Sequence, residues 1–271
     1  MNANDFLTMM DKVKIYDLTQ PLSVHTPPWP SYIPLSVQYF KRIAGAHMGQ
    51  GANGQTITMS HHVGTHMDGE IHFYGAGRSI GQVPMNEWVG QGVVVDISDQ
   101  VGDYDLYTPE MLTSKAEIKK GDILIINTGY HRYAWYEKDA DEVRYFVKHP
   151  GPGPDFHKWA IDMKIKWIGV ECGSADHPMN TIIRNWHPKS FDEAEAKLKK
   201  NYGKGWDELF PQDEYYQVMH LNLFPKGIVH AENLGGEIDK LSNKRCWIGC
   251  FPVKGMEFES AQCRIVAFLP E

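Results

Sequence analysis

The sequence predicts a single α/β domain. Residues 123–128 form a continuous apolar run ending in Asn-Thr, the pattern of a strand buried on both faces. Phe156, Trp159, Ala160 and Met163 fall at i, i+3, i+4 and i+7, which marks an amphipathic helix. Residues 165–171 read as the next strand, so strand, helix, strand in this order points to a βαβ unit. A chain of 271 residues with 42% hydrophobic and 23% charged side chains can bury one sizeable core.

The remaining elements follow in order. Residues 13–18 alternate and read as a first strand. Pro27, Pro28 and Pro30 hold the segment around Trp29 in a stiff, extended loop. Residues 55–60 alternate as a strand, and residues 93–97 form a short apolar one. Thr108-Pro109-Glu110 is a helix start, with a hydroxyl cap, proline at the first helical position and then an acid; the helix should run to about Ile118. The Pro/Gly-rich stretch 149–154 is a rigid loop that leads straight into a helix, so no domain boundary is placed there. Residues 191–200 are rich in Ala, Glu and Lys and read as a helix with a solvated charged face. Residues 246–251 and 264–269 read as closing strands.

Bulk properties narrow the function. A formal net charge of −7 argues against nucleic-acid or anionic-membrane partners. No run of about 18 apolar residues exists to span a membrane, and the first 14 residues lack the apolar stretch of a signal peptide. Cys172, Cys246, Cys250 and Cys263 form no C-x-x-C pair, so they are expected to be reduced, mostly buried thiols in a cytoplasmic protein.

The chemistry concentrates in residues 61–73. This stretch holds His61, His62, His66, His72, Asp68 and Glu70, the densest set of metal-ligating side chains in the chain. Imidazole and carboxylate together suit zinc, manganese or another first-row divalent ion. His62, His66 and Asp68 stand at i, i+4 and i+6. Gly64 lies inside that spacing, where a helix interior would lose about 1 kcal/mol. The expected geometry is therefore a strand end passing into an irregular turn, with Gly64 letting the three ligands converge.

The pattern His62-x-Gly-Thr-His66-x-Asp68, with His72 four residues on, resembles the H-x-G-T-H-x-D-x-P-x-H signature of the metal-dependent cyclase-like hydrolases. Bacterial kynurenine formamidases and isatin hydrolases belong to that family. Glu70 stands where the family usually has proline. The resemblance extends to His220 and Glu232, twelve apart and followed by Asn233-Leu234, and to Gly173-Ser174-Ala175-Asp176. It implies a swivelling β/β/α, β-rich core with flanking helices, and a homo-oligomer, dimer or tetramer. It implies metal ligands at His62, His66, Asp68, His220 and Glu232, for one or two Zn2+ or Mn2+ ions, with Asp68 as the natural bridge and His230 the nearest rival ligand. It implies a proton-shuttling His72, and Trp29 as a wall of the substrate pocket. Phe73 is compatible with the same aromatic pocket. Residues 185–215 have no counterpart in the shorter family pattern and read as an insertion.

The implied activity is metal-dependent hydrolysis of a C–N bond in a small aromatic or cyclic amide. Lactone hydrolysis or cyclisation uses the same ligand set, and a non-catalytic metal-binding homologue is the other alternative. A purely metal-binding site has no need of His72, and no Gly-x-Ser-x-Gly elbow supports a serine nucleophile.

Overall fold

The computed structural model describes residues 2–45 and 51–270 and is built on a mixed eight-stranded sheet. The strands are β1 (Val13–Asp17), β2 (Ser36–Lys41), β3 (Gly54–Thr58), β4 (His66–Asp68), β5 (Val89–Asp96), β6 (Leu106–Tyr107), β7 (Ile123–Asn127), β8 (Gly151–Pro152), β9 (Trp167–Val170), β10 (Val229–Glu232), β11 (Lys244–Pro252) and β12 (Ser260–Pro270). The main sheet runs β1-β12-β11-β5-β7-β9-β10-β4, and an added β12–β4 pairing closes it into a barrel. β2 pairs only with β3, and β6 only with β8.

β5, β7, β9 and β10 are parallel neighbours. Helices Pro109–Lys115 and Phe156–Asp162 make the crossovers from β5 to β7 and from β7 to β9. β7 is buried along its whole length, as its apolar run predicts. Ile123 and Ile125 pack into one core while Leu124 and Ile126 pack into another, so both faces of the sheet are covered. All four cysteines are free and buried.

A third core holds Ala194 and Leu198 of helix Pro188–Tyr202 with Trp206 and Phe210, packed on Tyr145, Phe146 and Met179. The helix of residues 191–200 therefore has a charged outer side and an apolar inner one. No helix among the described residues is long and apolar enough to cross a membrane.

Two local expectations need correction. The helix from Pro109 stops at Lys115, with Ala116 extended. Thr113 and Ser114 turn their hydroxyls back onto the Pro109 and Met111 carbonyls, which competes with further helix. The segment 66–68 is a strand rather than part of a turn: the turn comes first, at residues 62–65, and β4 then runs between β10 and β12.

One hydrogen-bond network holds that strand in place. The Thr65 hydroxyl donates to the Asn233 carbonyl at 2.6 Å and accepts the Gln20 N–H at 2.9 Å. The Gln20 amide donates to the Leu234 carbonyl and to Tyr145 Oη, and Tyr145 donates to Asn233 Oδ1 at 2.8 Å. Asn233 has φ +59°, a left-handed conformation that Asn tolerates better than most residues. Thr65 and Asn233 thus belong to their motifs as the clamp between the two ligand-bearing segments. Thr65→Val keeps the shape but strands a buried N–H and a buried carbonyl, so urea unfolding of metal-free protein should show a loss of about 2 kcal/mol. Thr65→Ser should recover most of it.

Candidate metal centre

β4 alternates, so Met67 enters the core while His66 and Asp68 share the opposite face. Register then brings distant residues to that face. Glu232 of β10 lies directly across from His66, and Ser260 of β12 lies across from Asp68. Gly64, with φ +66°, turns the chain so that His62 folds back toward His66. Their facing atoms, His62 Nδ1 and His66 Nε2, are 3.0 Å apart. His220 comes from the short helix Val218–Leu223 that precedes β10.

All five sequence-predicted ligands are thus brought together. Asp68 Oδ1 is 3.5 Å from both His62 Nδ1 and His66 Nε2. Asp68 Oδ2 is 3.6 Å from His220 Nε2, which is 3.7 Å from Glu232 Oε1. Glu232 Oε2 is 3.8 Å from His66 Nε2. Both Asp68 oxygens are buried with no hydrogen-bond partner, at 0% exposure.

The outward nitrogen of each imidazole is engaged. His66 Nδ1 donates to the Gly64 carbonyl at 2.9 Å, and His220 Nδ1 donates to Asp176 Oδ2 at 2.6 Å. His62 Nε2 is 2.9 Å from Glu259 Oε2. Each bond fixes the ring with its other nitrogen facing the carboxylates, and that inward nitrogen becomes a metal ligand once its proton is lost.

The electrostatics point the same way. Burial opposes charge on His66, yet Asp68 and Glu232 push its pKa up to about 9. Burial likewise opposes charge on His220, but Asp176 and Asp68 push it up to about 10. Burial and the neighbouring Asp68 charge push Glu232 up to about 7. The carboxylates draw protons onto His66 and His220 because the centre is short of positive charge, which a divalent cation would supply. Unpartnered carboxylate oxygens, inward-facing ring nitrogens and a two-carboxylate donor set all fit such an ion.

His72, Trp29 and Phe73 reach the same place. With Tyr32, Ser174 and Gln217 they line a cavity that opens on His62, His220 and Glu232. The His72 ring lies 4.3 Å from that of His62, and Phe73 lies 4.7 Å from His220. Asp176 serves as the partner of His220, and Ser174 accepts the Asp176 N–H. Glu171 is not in the cluster; it accepts hydrogen bonds from Thr128 and Tyr130. Glu70, at the place of the family proline, turns away to bind the Arg78 guanidinium, which also pairs with Glu87.

Sequence reasoning missed Glu259. It lies 2.9 Å from His62 Nε2 and 2.7 Å from His72 Nδ1, with His61 at 3.7 Å. Burial opposes its charge, but these three histidines hold its pKa well below the usual carboxylate range. No local ligand pattern surrounds it in the sequence; it immediately precedes β12 and reaches His62 from nearly two hundred residues away.

Residues 16–177 match the family model described as "Putative cyclase". The match takes in the His62 to His72 stretch and Asp176, and it spans more than half of the chain. Isatin hydrolase A from Labrenzia aggregata, solved with benzyl benzoate, is 20% identical with a TM-score of 0.75 over 99% of each chain. Isatin hydrolase A from Ralstonia solanacearum is 18% identical, with a TM-score of 0.75 over 99% of this chain and 98% of that one. An isatin hydrolase bound to the product analogue thioisatinate is 19% identical, with a TM-score of 0.73 over 100% of both chains. At these identities the likeness is one of fold. The motif around His62, His66 and Asp68, the closed mixed sheet that carries it and the match over residues 16–177 lead to one assignment: the chain belongs to the cyclase family.

Proposed function

We propose that this chain is a metal-dependent hydrolase that cleaves a C–N bond in a small aromatic or cyclic amide. The observation that carries this reading is the Asp68 carboxylate, buried without partners and faced by imidazole nitrogens oriented to bind a cation. In this reading His62, His66, Asp68, His220 and Glu232 hold one or two zinc or manganese ions, with Asp68 between the two ligand sets. Such an ion polarises a carbonyl and lowers the pKa of water from about 15.7 to about 7, making hydroxide available near neutral pH.

The chain's own groups do the rest. Glu259 holds His72 Nδ1 at 2.7 Å, which leaves Nε2 for proton transfer. His72 Nε2 accepts a proton from the attacking water as its oxygen bonds to the carbonyl carbon. It then donates that proton to the nitrogen as the C–N bond breaks. Trp29, Tyr32 and Phe73 supply flat apolar walls for a ring. Benzyl benzoate and thioisatinate in structures of like fold favour an aromatic ligand class.

The same reading includes a homo-oligomer. The two-stranded β2–β3 ribbon is exposed along nearly its whole length, with Tyr39, Phe40 and Ile57 uncovered, and such a ribbon is marginal alone. Lactone hydrolysis or cyclisation is the second reading, favoured by the family description and served by the same groups. A non-catalytic metal protein would leave the His72–Glu259 pair without a task.

Three outcomes are expected. Elemental analysis of protein purified without chelator should find a first-row divalent metal, and His66→Ala should lose metal and activity together; wild-type protein that stays metal-free after zinc or manganese supply would overturn the reading. His72→Ala should keep its metal and lose roughly 10²–10⁴-fold in rate on a hydrolysable aryl amide. Because His62, His72 and Glu259 also lie close enough to share an ion, loss of metal in this variant would make His72 a ligand instead. Glu232→Gln should bind less metal per subunit, or bind it more weakly, and be nearly inactive, whereas Glu237→Gln, which lies outside the cluster and accepts the Asp17 N–H, should bind metal like wild type.

A further inference from the structure

His230 is a buried histidine that the mechanism above does not use. It precedes Glu232 by two residues on β10, so the two side chains share a face of the strand. The antiparallel register that sets Ala231 against Met67 and Glu232 against His66 carries on to put His230 beside Asp68. One ligand atom from each of Asp68, His220, His230 and Glu232 lies within 4.8 Å of the others.

Its surroundings offer nothing else to bind. His230 is 0% exposed, and neither ring nitrogen has a hydrogen-bond partner. The rings nearest to it are His220, perpendicular at 4.9 Å, and Phe224 at 5.0 Å. A neutral imidazole carries one donor and one acceptor, and each buried without a partner costs about 1–3 kcal/mol. An apolar side chain would fill this space without that cost. Every other histidine at the centre has its outward nitrogen engaged; His230 alone among the cluster's histidines has both nitrogens unsatisfied.

We propose that His230 is a metal ligand, the fourth donor of a site formed with Asp68, His220 and Glu232. This rests on the reading of the cluster as a metal centre and adds a residue to it. Two imidazoles and two carboxylates balance the charge of a divalent ion and complete a four-donor set, the number of protein ligands that leaves a tetrahedral site no open position. The set of His62, His66 and Asp68 keeps fewer donors and so an open position. The two sets are therefore unequal, and the His230 side binds its ion more tightly.

The test is a zinc titration of metal-free protein in competition with a chromophoric chelator, comparing wild type with His230→Phe. The expected result is at least a tenfold weakening of the tightest zinc equivalent in the variant. The urea midpoint of the metal-free variant should be equal to or above that of wild type, since two unsatisfied nitrogens have been removed. Zinc affinity within twofold of wild type would overturn the proposal. Should the variant fail to fold, the ring nitrogens of ¹⁵N-histidine-labelled wild type give a second readout. The His230 signals should shift as zinc is added, and their constancy at saturation would overturn the proposal. Wild-type protein that takes up no zinc would overturn it together with the metal-centre reading, a result distinct from normal uptake with an indifferent His230→Phe.

Discussion

Everything in this fold converges on the burial of Asp68. A carboxylate with no solvent and no hydrogen-bond donor at either oxygen costs several kcal/mol unless a cation meets it. His66 and His220 meet it by taking up protons, which their upward shifts reflect, whereas burial holds His62 below its ordinary value. Glu232 adds a second buried carboxylate to the same space and is itself pushed up to about 7, burial and the Asp68 charge being the causes. A group of side chains with this balance is poised to exchange protons for metal.

Rigidity supports that charge balance. The three inward-facing imidazoles are aimed by partners that sit behind them: the Gly64 carbonyl, the Asp176 carboxylate and the Glu259 carboxylate. Behind those lies the Thr65–Asn233 bond, which ties the turn before β4 to the turn after β10. Glu259 has a second duty at His72, so one carboxylate couples a candidate ligand to the candidate proton carrier. β7, β9 and β10 run parallel side by side, and Glu232 lies at the carboxyl end of β10.

Glu70 illustrates how a motif position can change without disturbing the site. A proline there would restrict the backbone after Gly69; here the Arg78 guanidinium and the Arg78 N–H bind the Glu70 carboxylate and hold the short helical turn Glu70–His72. His72 reaches the cavity by a different local device.

The sequence by itself determined the local chemistry. The density of His and Asp in residues 61–73, the left-handed need at Gly64 and the doubly buried run of β7 were all legible because each depends on neighbours in the chain. The resemblance extended that reading to His220 and Glu232. The positions of Glu259 and His230 at the cluster were decided only by the tertiary structure. Glu259 sits just before β12, which pairs with β4 from the far end of the chain. His230 stands in the sequence only as a rival to the five ligands, and it is register that sets it beside Asp68 and leaves both its nitrogens without partners. Strand register is set by packing across the whole sheet, and no short-range pattern encodes which face-sharing residues will meet.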